Sequence, residues 1–130
     1  MKNTVFISKK IKKFNQKIHV SGDKSLSIRW ALMASQAIGK SRAYNLLDSE
    51  DINSTINALI KLGIKVIKKK NICEIYGNGL NSFSFKNNTV INANNSGTLS
   101  RLILGVLAKS KNSVIIKGDK SLSKRDFVRI

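Results

Sequence analysis

Two eight-residue segments of this chain are nearly identical and rich in groups that bind anions. Residues 22–29 read GDKSLSIR (the first repeat) and residues 118–125 read GDKSLSKR (the second repeat), so seven of the eight positions match. A helix that starts near Lys24 or Ser25 exposes unpaired backbone N–H groups, and its dipole favours an anion there. Lys24 adds a mobile positive charge and Ser25 a hydroxyl donor, while Arg29 shares that face four residues later with a bidentate guanidinium. The first repeat is therefore suited to hold a phosphate or a carboxylate.

A third segment between the repeats has a similar make-up. Residues 95–98 read NSGT and form a predicted turn before a helix, and Arg101 follows four residues after Gly97. Glycine at that position would let a ligand approach the backbone closely. Arg125, which closes the second repeat, is the third arginine that follows such a turn. The recurrence of hydroxyl groups with a following arginine favours an anion site over chance.

Plain helix capping is the alternative for each segment, and the residues alone leave it open. Serine, threonine, asparagine and aspartate are the side chains that cap helix starts, and the basic residues would then only face water. The possible caps are Asp23 or Ser25 in the first repeat and Asn95 or Thr98 in the third segment.

The spacing of apolar residues predicts the elements that carry these segments. The first helix, over residues 25–38, is expected to bury a stripe of Leu26, Trp30, Met33 and Ala37 and to end at Gly39. The other elements predicted before residue 80 are strands over residues 4–8, 17–20 and 43–47, a helix that begins in the acidic run 48–51 and stops at Gly63, and a hairpin of residues 65–68 with 73–76.

A second unit is predicted after residue 89. Its elements are a strand over residues 90–93, a helix over 99–108, a strand over 113–117 and the start of another helix in the second repeat. Strands that alternate with helices in this way indicate an α/β or α+β fold rather than a bundle or a sandwich.

Composition limits the classes of function. The chain has 130 residues, 42% of them hydrophobic, which is enough for one domain with a core, and no apolar stretch long enough to span a membrane. A formal net charge of +17 invites a nucleic-acid-binding interpretation, but the lysines are scattered and no aromatic residues interleave with them. Cys73 is the single cysteine and His19 the single histidine, so a metal site is not expected, and a cytoplasmic location is.

Three segments, in this order, resemble signature segments of the EPSP synthase family (3-phosphoshikimate 1-carboxyvinyltransferases). They are residues 22–29, residues 95–102 (NSGTLSRL) and residues 118–125, and the stretches 45–51 (NLLDSED) and 62–63 (LG) are also similar to the family. The resemblance implies transfer of the enolpyruvyl group of phosphoenolpyruvate to the 5-hydroxyl of shikimate 3-phosphate, in aromatic amino acid biosynthesis. It implies no cofactor and no metal.

The resemblance also implies a role for each matching residue. Lys24, Ser25 and Arg29 would bind shikimate 3-phosphate, and Lys24 would touch both substrates. Phosphoenolpyruvate would be bound by Lys24, Asn95, Gly97, Arg101 and Arg125. No catalytic acid or base is expected in this portion.

The implied fold is an incomplete domain of βαβαββ units, the inverse α/β barrel of the enolpyruvyltransferases. Residues 1–16 would form a strand region that packs on the other domain, and residues 17–130 a partial substrate-binding domain. Because the resemblance covers only the N-terminal portion of a family chain, we expect this chain to be inactive alone and a full-length enzyme to be a monomer.

Two departures from the family pattern affect the turns. Ser21 and Asp126 stand where the family usually has proline. Ser21 lowers the rigidity of its turn, and Asp126 is expected to weaken phosphoenolpyruvate binding because its negative charge adjoins Arg125.

Two other functions remain as alternatives. One is a fragment similar to UDP-N-acetylglucosamine enolpyruvyltransferase, although that family tends to have lysine followed by asparagine where this chain has Lys24 and Ser25. The other is a small basic module that binds nucleic acid, whose affinity would fall steeply with salt.

Overall fold

The computed structural model describes residue 15 and residues 22–128. The strands predicted over residues 4–8 and 17–20, the strand region 1–16 and His19 lie outside this description. The elements in chain order are α1 (Lys24–Gln36), β1 (Ile38–Tyr44), α2 (Glu50–Lys61), β2 (Lys65–Lys69), β3 (Ile72–Asn78), β4 (Thr89–Asn92), α3 (Gly97–Leu107), β5 (Val114–Lys117) and α4 (Lys120–Ser123). The α/β class predicted from the sequence is confirmed.

The first unit is a three-stranded antiparallel sheet with two helices on one face. The strand order is β1-β3-β2, and α1 packs on β3 and α2. The predicted hairpin is confirmed, with Lys69 paired to Ile72 across its turn. Ile28, Leu59 and Ile75 are fully buried between helices and sheet, and burial also raises the pKa of the Cys73 thiol.

The predicted buried stripe of α1 is wrong. Leu26 and Met33 are 57% and 74% exposed, whereas Ile28, Ala31 and Leu32 are buried. Apolar side chains surround most of this helix, so their spacing alone does not select the face that packs. The buried face also holds Ser27 and Ser35, whose small side chains let α1 approach its neighbours closely, while Trp30 is only partly buried and Ala37 is the C-cap.

The strand predicted over residues 43–47 is displaced toward the N-terminus. The helix ends at Gln36, and β1 already runs through Gly39, which has φ 89° and does not act as a helix stop. Pairing with β3 decides this register, from Ile38 opposite Asn78 to Tyr44 opposite Ile72. Asn45, with φ 55°, then ends the strand.

The second predicted helix is confirmed at both ends. Ser49 caps α2 by accepting a hydrogen bond from the Ile52 N–H at 3.4 Å. At the other end, Gly63 has φ 86° and its N–H donates to the Ile60 carbonyl, while the Ile64 N–H donates to that of Leu59. This is the Schellman arrangement, which requires a left-handed residue after the helix.

The second unit consists of a parallel pair of strands joined through α3. β4 pairs with β5 from Thr89 opposite Val114 to Asn92 opposite Lys117, within one residue of the predicted strands. The cap of α3 is Ser96, whose Oγ accepts from the Leu99 N–H at 3.4 Å, and so neither Asn95 nor Thr98 caps it as predicted. Across the residues that the structure describes, no helix has the length and apolarity needed to span a membrane.

Candidate functional site

Three helices begin at the edge of one polar cavity. Lys24 is the first residue of α1, Glu50 and Asp51 open α2, and Gly97 opens α3. We call this space of about 450 Å³ the basic cavity; its lining residues are Lys24, Glu50, Asp51, Asn95, Gly97, Thr98, Arg101 and Arg125. Unpaired N–H groups and dipole ends of helices with 11 to 13 residues favour a negative charge here.

Lys24 is held at one wall of the basic cavity by an acid from α2. Its Nζ lies 3.0 Å from Asp51 Oδ2, and the side chains are 54% and 17% exposed. The side chain is more than half exposed and an ammonium group has three donors, so donors beyond the one facing Asp51 can serve a ligand. Lys24 can therefore contact an anion without leaving Asp51.

Arg125 forms the opposite wall, beside the start of α3. Its Nη2 donates to Asn95 Oδ1. A Cβ added to Gly97 would meet Arg125 Nη1 at 2.7 Å and Arg101 Nη1 at 3.4 Å. The glycine therefore leaves room for two guanidinium groups against the backbone of α3.

Arg101 is fixed by the segment that follows α4. Its Nη2 donates to the Asp126 carbonyl oxygen at 3.0 Å, and its guanidinium carbon lies 5.3 Å from the centre of the Phe127 ring. Both contacts, a hydrogen bond and a cation–π interaction, connect α3 to the chain beyond the second repeat. They hold Arg101 at the cavity that Arg125 also lines.

The Asp126 side chain caps its own turn. Its Oδ1 accepts from the Val128 N–H at 2.7 Å, and among the described residues no ion pair joins it to Arg125. The local cap gives this carboxylate a partner other than the arginine beside it.

Ser25 and Arg29 do not line the basic cavity. Arg29 Nη1 donates to the carbonyl oxygen of Ser25 at 3.1 Å, so the two residues do share a face of α1. The Arg29 side chain lies instead at an apolar groove of about 580 Å³ between α1 and α3, which includes Met33, Leu102 and Val106. Of the predicted site residues, the structure thus brings together Lys24, Asn95, Gly97, Arg101 and Arg125.

Three lining residues, Glu50, Asp51 and Thr98, were not predicted as site residues. The acids read as helix-start residues, and they do occupy the first turn of α2. The other acid of that run, Asp48, contacts a different residue: its Oδ1 lies 2.8 Å from Lys68 Nζ, and the hydrogen bond and charge of Lys68 lower the pKa of its carboxyl. Asp51 contacts Lys24 because α1 packs against α2, whereas Asp48 contacts Lys68 of β2.

Comparison with known proteins identifies the family of this chain. The family model described as EPSP synthase (3-phosphoshikimate 1-carboxyvinyltransferase) matches residues 8–129. The chain belongs to the EPSP synthase family.

Similar relatives and structures agree with this membership. A 3-phosphoshikimate 1-carboxyvinyltransferase of Oenococcus oeni is 38% identical over 123 residues, which are 95% of this chain and 28% of that protein. One from Buchnera aphidicola is 41% identical over 111 residues, 84% of this chain and 25% of that protein. The structure of EPSP synthase from Acinetobacter baumannii superposes with a TM-score of 0.75 at 32% identity and covers 85% of this chain and 25% of that one.

The matched portion is therefore a partial domain of the enolpyruvyltransferase type, as the sequence predicted. The chain spans about a quarter of the length of these EPSP synthase relatives. The predicted division into residues 1–16 and 17–130 stays a prediction.

Proposed function

We propose that this chain supplies the anion-binding part of an EPSP synthase active site. The complete enzyme would transfer the enolpyruvyl group of phosphoenolpyruvate to the 5-hydroxyl of shikimate 3-phosphate. The observation that carries the proposal is the convergence of three helix N-termini with Lys24, Arg101 and Arg125 on one cavity. Both substrates carry a phosphate, and helix starts with basic side chains are the groups that bind phosphate.

Phosphoenolpyruvate would lie between Lys24 and Arg125. Arg125 uses one nitrogen on Asn95, so its remaining donors can form a two-point contact with a phosphate or a carboxylate. The lack of a side chain at Gly97 lets the Arg125 guanidinium lie against the start of α3, so an anion bound by Arg125 would also be close to that helix N-terminus. Arg101 adds a charge at the same end of α3.

Shikimate 3-phosphate would lie on the Ser25 and Arg29 side of Lys24. Arg29 is exposed, and among the described residues its one hydrogen bond goes to the carbonyl of its own helix turn, so its guanidinium can exchange that contact for a phosphate at little cost. Lys24, between the two substrates, would contact both anions, reduce their mutual repulsion and bring the 5-hydroxyl close to the enolpyruvyl carbon.

In the transfer, the 5-oxygen forms a bond to C2 of phosphoenolpyruvate and the C2–O bond to the phosphate breaks, releasing inorganic phosphate. The proton of the hydroxyl must be removed, and proton transfer needs a positioned acid or base. The family resemblance implies that those groups lie outside this portion. We therefore expect the 130-residue chain alone to release no phosphate above background from the two substrates.

A titration followed by NMR tests the proposed binding. On addition of phosphoenolpyruvate, the amide signals of Asn95, Gly97 and Leu26 should shift and saturate, and pyruvate, which lacks the phosphate, should shift them much less. A chain of charge +17 also attracts anions without specificity. Shifts spread evenly over exposed lysines such as Lys65 and Lys109, with none saturating at the cavity, would contradict the proposal.

The preferred acceptor is shikimate 3-phosphate rather than UDP-N-acetylglucosamine, since the relatives described above are named 3-phosphoshikimate 1-carboxyvinyltransferase. Competition between the two acceptors in the same titration tests this choice. A cytoplasmic location, a monomeric full-length enzyme and the absence of a cofactor belong to the same proposal.

A further inference from the structure

Asn94 connects three parts of the chain beside the basic cavity: the turn before α3, the helix α2 and the second repeat. It follows β4 and comes directly before Asn95, and its backbone is left-handed, with φ 48°. Asparagine is among the few residues with a side chain that adopt this conformation readily. Its N–H donates to Asn92 Oδ1 at 3.0 Å, which secures the turn on the side of the strand.

The side chain of Asn94 reaches α2. Its Nδ2 donates to Ser54 Oγ at 2.9 Å, and Ser54 is only 3% exposed. Ser54 lies one helical turn after Asp51, the acid that holds Lys24. The amide therefore connects the turn before α3 to the helix that fixes Lys24.

The backbone of Asn94 reaches the second repeat. Its carbonyl oxygen accepts from the Asp119 N–H at 2.9 Å. Asp119 in turn caps α4 by accepting from the Leu122 N–H at 2.7 Å, and Arg125 follows that helix. Asn94 is thus also connected to the cap of the helix that precedes Arg125.

We propose that Asn94 is a positioning residue that sets the separation of Lys24, Gly97 and Arg125 in the basic cavity; this rests on the proposed function of the cavity as an anion site. This role needs both the left-handed backbone of Asn94 and its side-chain amide. A glycine could adopt the left-handed backbone but has no amide for Ser54. A longer side chain could reach Ser54 but would strain the turn.

The test compares Asn94→Gly, Ser54→Ala and the double variant with wild type. Asn57→Ala is the matched control, because Asn57 is an exposed residue of the same helix, one turn after Ser54. Phosphoenolpyruvate affinity and amide hydrogen exchange are measured well below the unfolding temperature of every variant. The Gly79 N–H, which donates to the Ala37 carbonyl at 3.0 Å in the first unit, reports general destabilisation.

We expect each single variant to exchange the Asp119 amide about three to ten times faster than wild type and to weaken phosphoenolpyruvate binding by a similar factor. The double variant should lose no more than the larger single, since both changes break the same hydrogen bond. Asn57→Ala should behave as wild type, and the Gly79 amide should not follow that of Asp119.

Unchanged Asp119 exchange in both single variants would overturn the inference, whatever happens to the ligand. Acceleration of Asp119 and Gly79 by equal factors would also overturn it, because it would indicate loss of stability rather than of position. Failure of wild type to bind phosphoenolpyruvate would instead reject the proposed function, and the exchange measurement would still decide whether Asn94 joins the segments.

Discussion

Asp23 in the first repeat and Asp119 in the second occupy the same position at the start of a helix. Each accepts a hydrogen bond from the backbone N–H three residues later, Asp23 Oδ1 from Leu26 at 2.8 Å and Asp119 Oδ1 from Leu122 at 2.7 Å. Locally, equal sequence therefore produces equal structure. The helix starts also match what the N-cap preference of aspartate predicts.

The basic residues of the two repeats have different surroundings. Lys24 pairs with Asp51 in the basic cavity, whereas Lys120 forms no ion pair within the described part of the chain. Within the described residues, the Arg29 side chain hydrogen-bonds to its own helix, whereas that of Arg125 hydrogen-bonds to Asn95 in the turn before α3. One cavity thus takes the lysine of the first repeat and the arginine of the second.

This difference shows what a short motif determines and what it leaves to the rest of the fold. The motif fixes the cap and the first turn, because those depend on residues three or four positions apart. The direction in which a long side chain finds a partner depends on neighbouring elements. For Lys24 the neighbour is α2, and for Arg125 it is the turn before α3.

The two repeats should differ most in how strongly their arginines contribute to phosphoenolpyruvate binding. Arg125→Ala should weaken phosphoenolpyruvate binding about ten- to hundredfold, since hydrogen bonds to charged groups contribute about 1.5–3 kcal/mol. Arg29→Ala should change it by less than about twofold, because exposed charges away from the ligand contribute little, and should weaken shikimate 3-phosphate binding instead. Calorimetric titration of both variants with each substrate measures this. Equal losses of phosphoenolpyruvate affinity would mean that the two arginines serve one ligand.

The lysines of the two repeats should also differ in their contribution to substrate binding, but less strongly, and here the first repeat contributes more. Lys24→Met should weaken binding of each substrate about tenfold, because it removes one charge-assisted contact from an exposed side chain. Lys120→Met removes the same charge at the equivalent position of the second repeat, so it controls for the change in net charge. The same titration at two salt concentrations measures both variants. A matching loss in Lys120→Met would indicate that overall charge, and not the basic cavity, attracts the substrates.

The features that the sequence predicts correctly are local ones. The helix start within residues 48–51, the stop at Gly63 and the hairpin of residues 65–68 with 73–76 each depend on a few neighbouring residues. The buried face of α1 does not, because its apolar side chains are spread around the helix and only contact with β3 and α2 selects Ile28 over Met33. The register of β1 is likewise decided by its partner strand.

The candidate site also depends on contacts between distant parts of the chain, which the spacing of residues does not reveal. Lys24 and Arg125 lie far apart in sequence, and no spacing rule brings them together; the family resemblance is what assigns them to one ligand. From the sequence, Asp51 is expected only to lie at a helix start, since its contact with Lys24 requires the packing of α1 on α2. Asn94 carries no sequence signal beyond a preference for turns, and its role depends on contacts with two distant segments.

The smallest expected difference concerns the caps, where the two repeats are most alike. Asp23→Ala should lower the free energy of unfolding by about 1 kcal/mol, the usual cost of losing an N-cap. Asp119→Ala loses the same hydrogen bond, but α4 has four residues and only Leu122 of it is buried, so we expect local fraying and a smaller change in global stability. Urea unfolding measures the global effect, and exchange of the Leu26 and Leu122 amides measures the local one.

Serine at either position should restore most of the loss, because serine caps helices about as well as aspartate. If Asp119→Ala lowered the urea midpoint as much as Asp23→Ala does, α4 would be an integral part of the folding unit. The second repeat would then support the core as the first does, and the contrast between them would be confined to the direction of their basic side chains. If Leu122 exchange accelerates while the urea midpoint is unchanged, α4 is not an integral part of the folding unit. Its cap then serves to position Arg125.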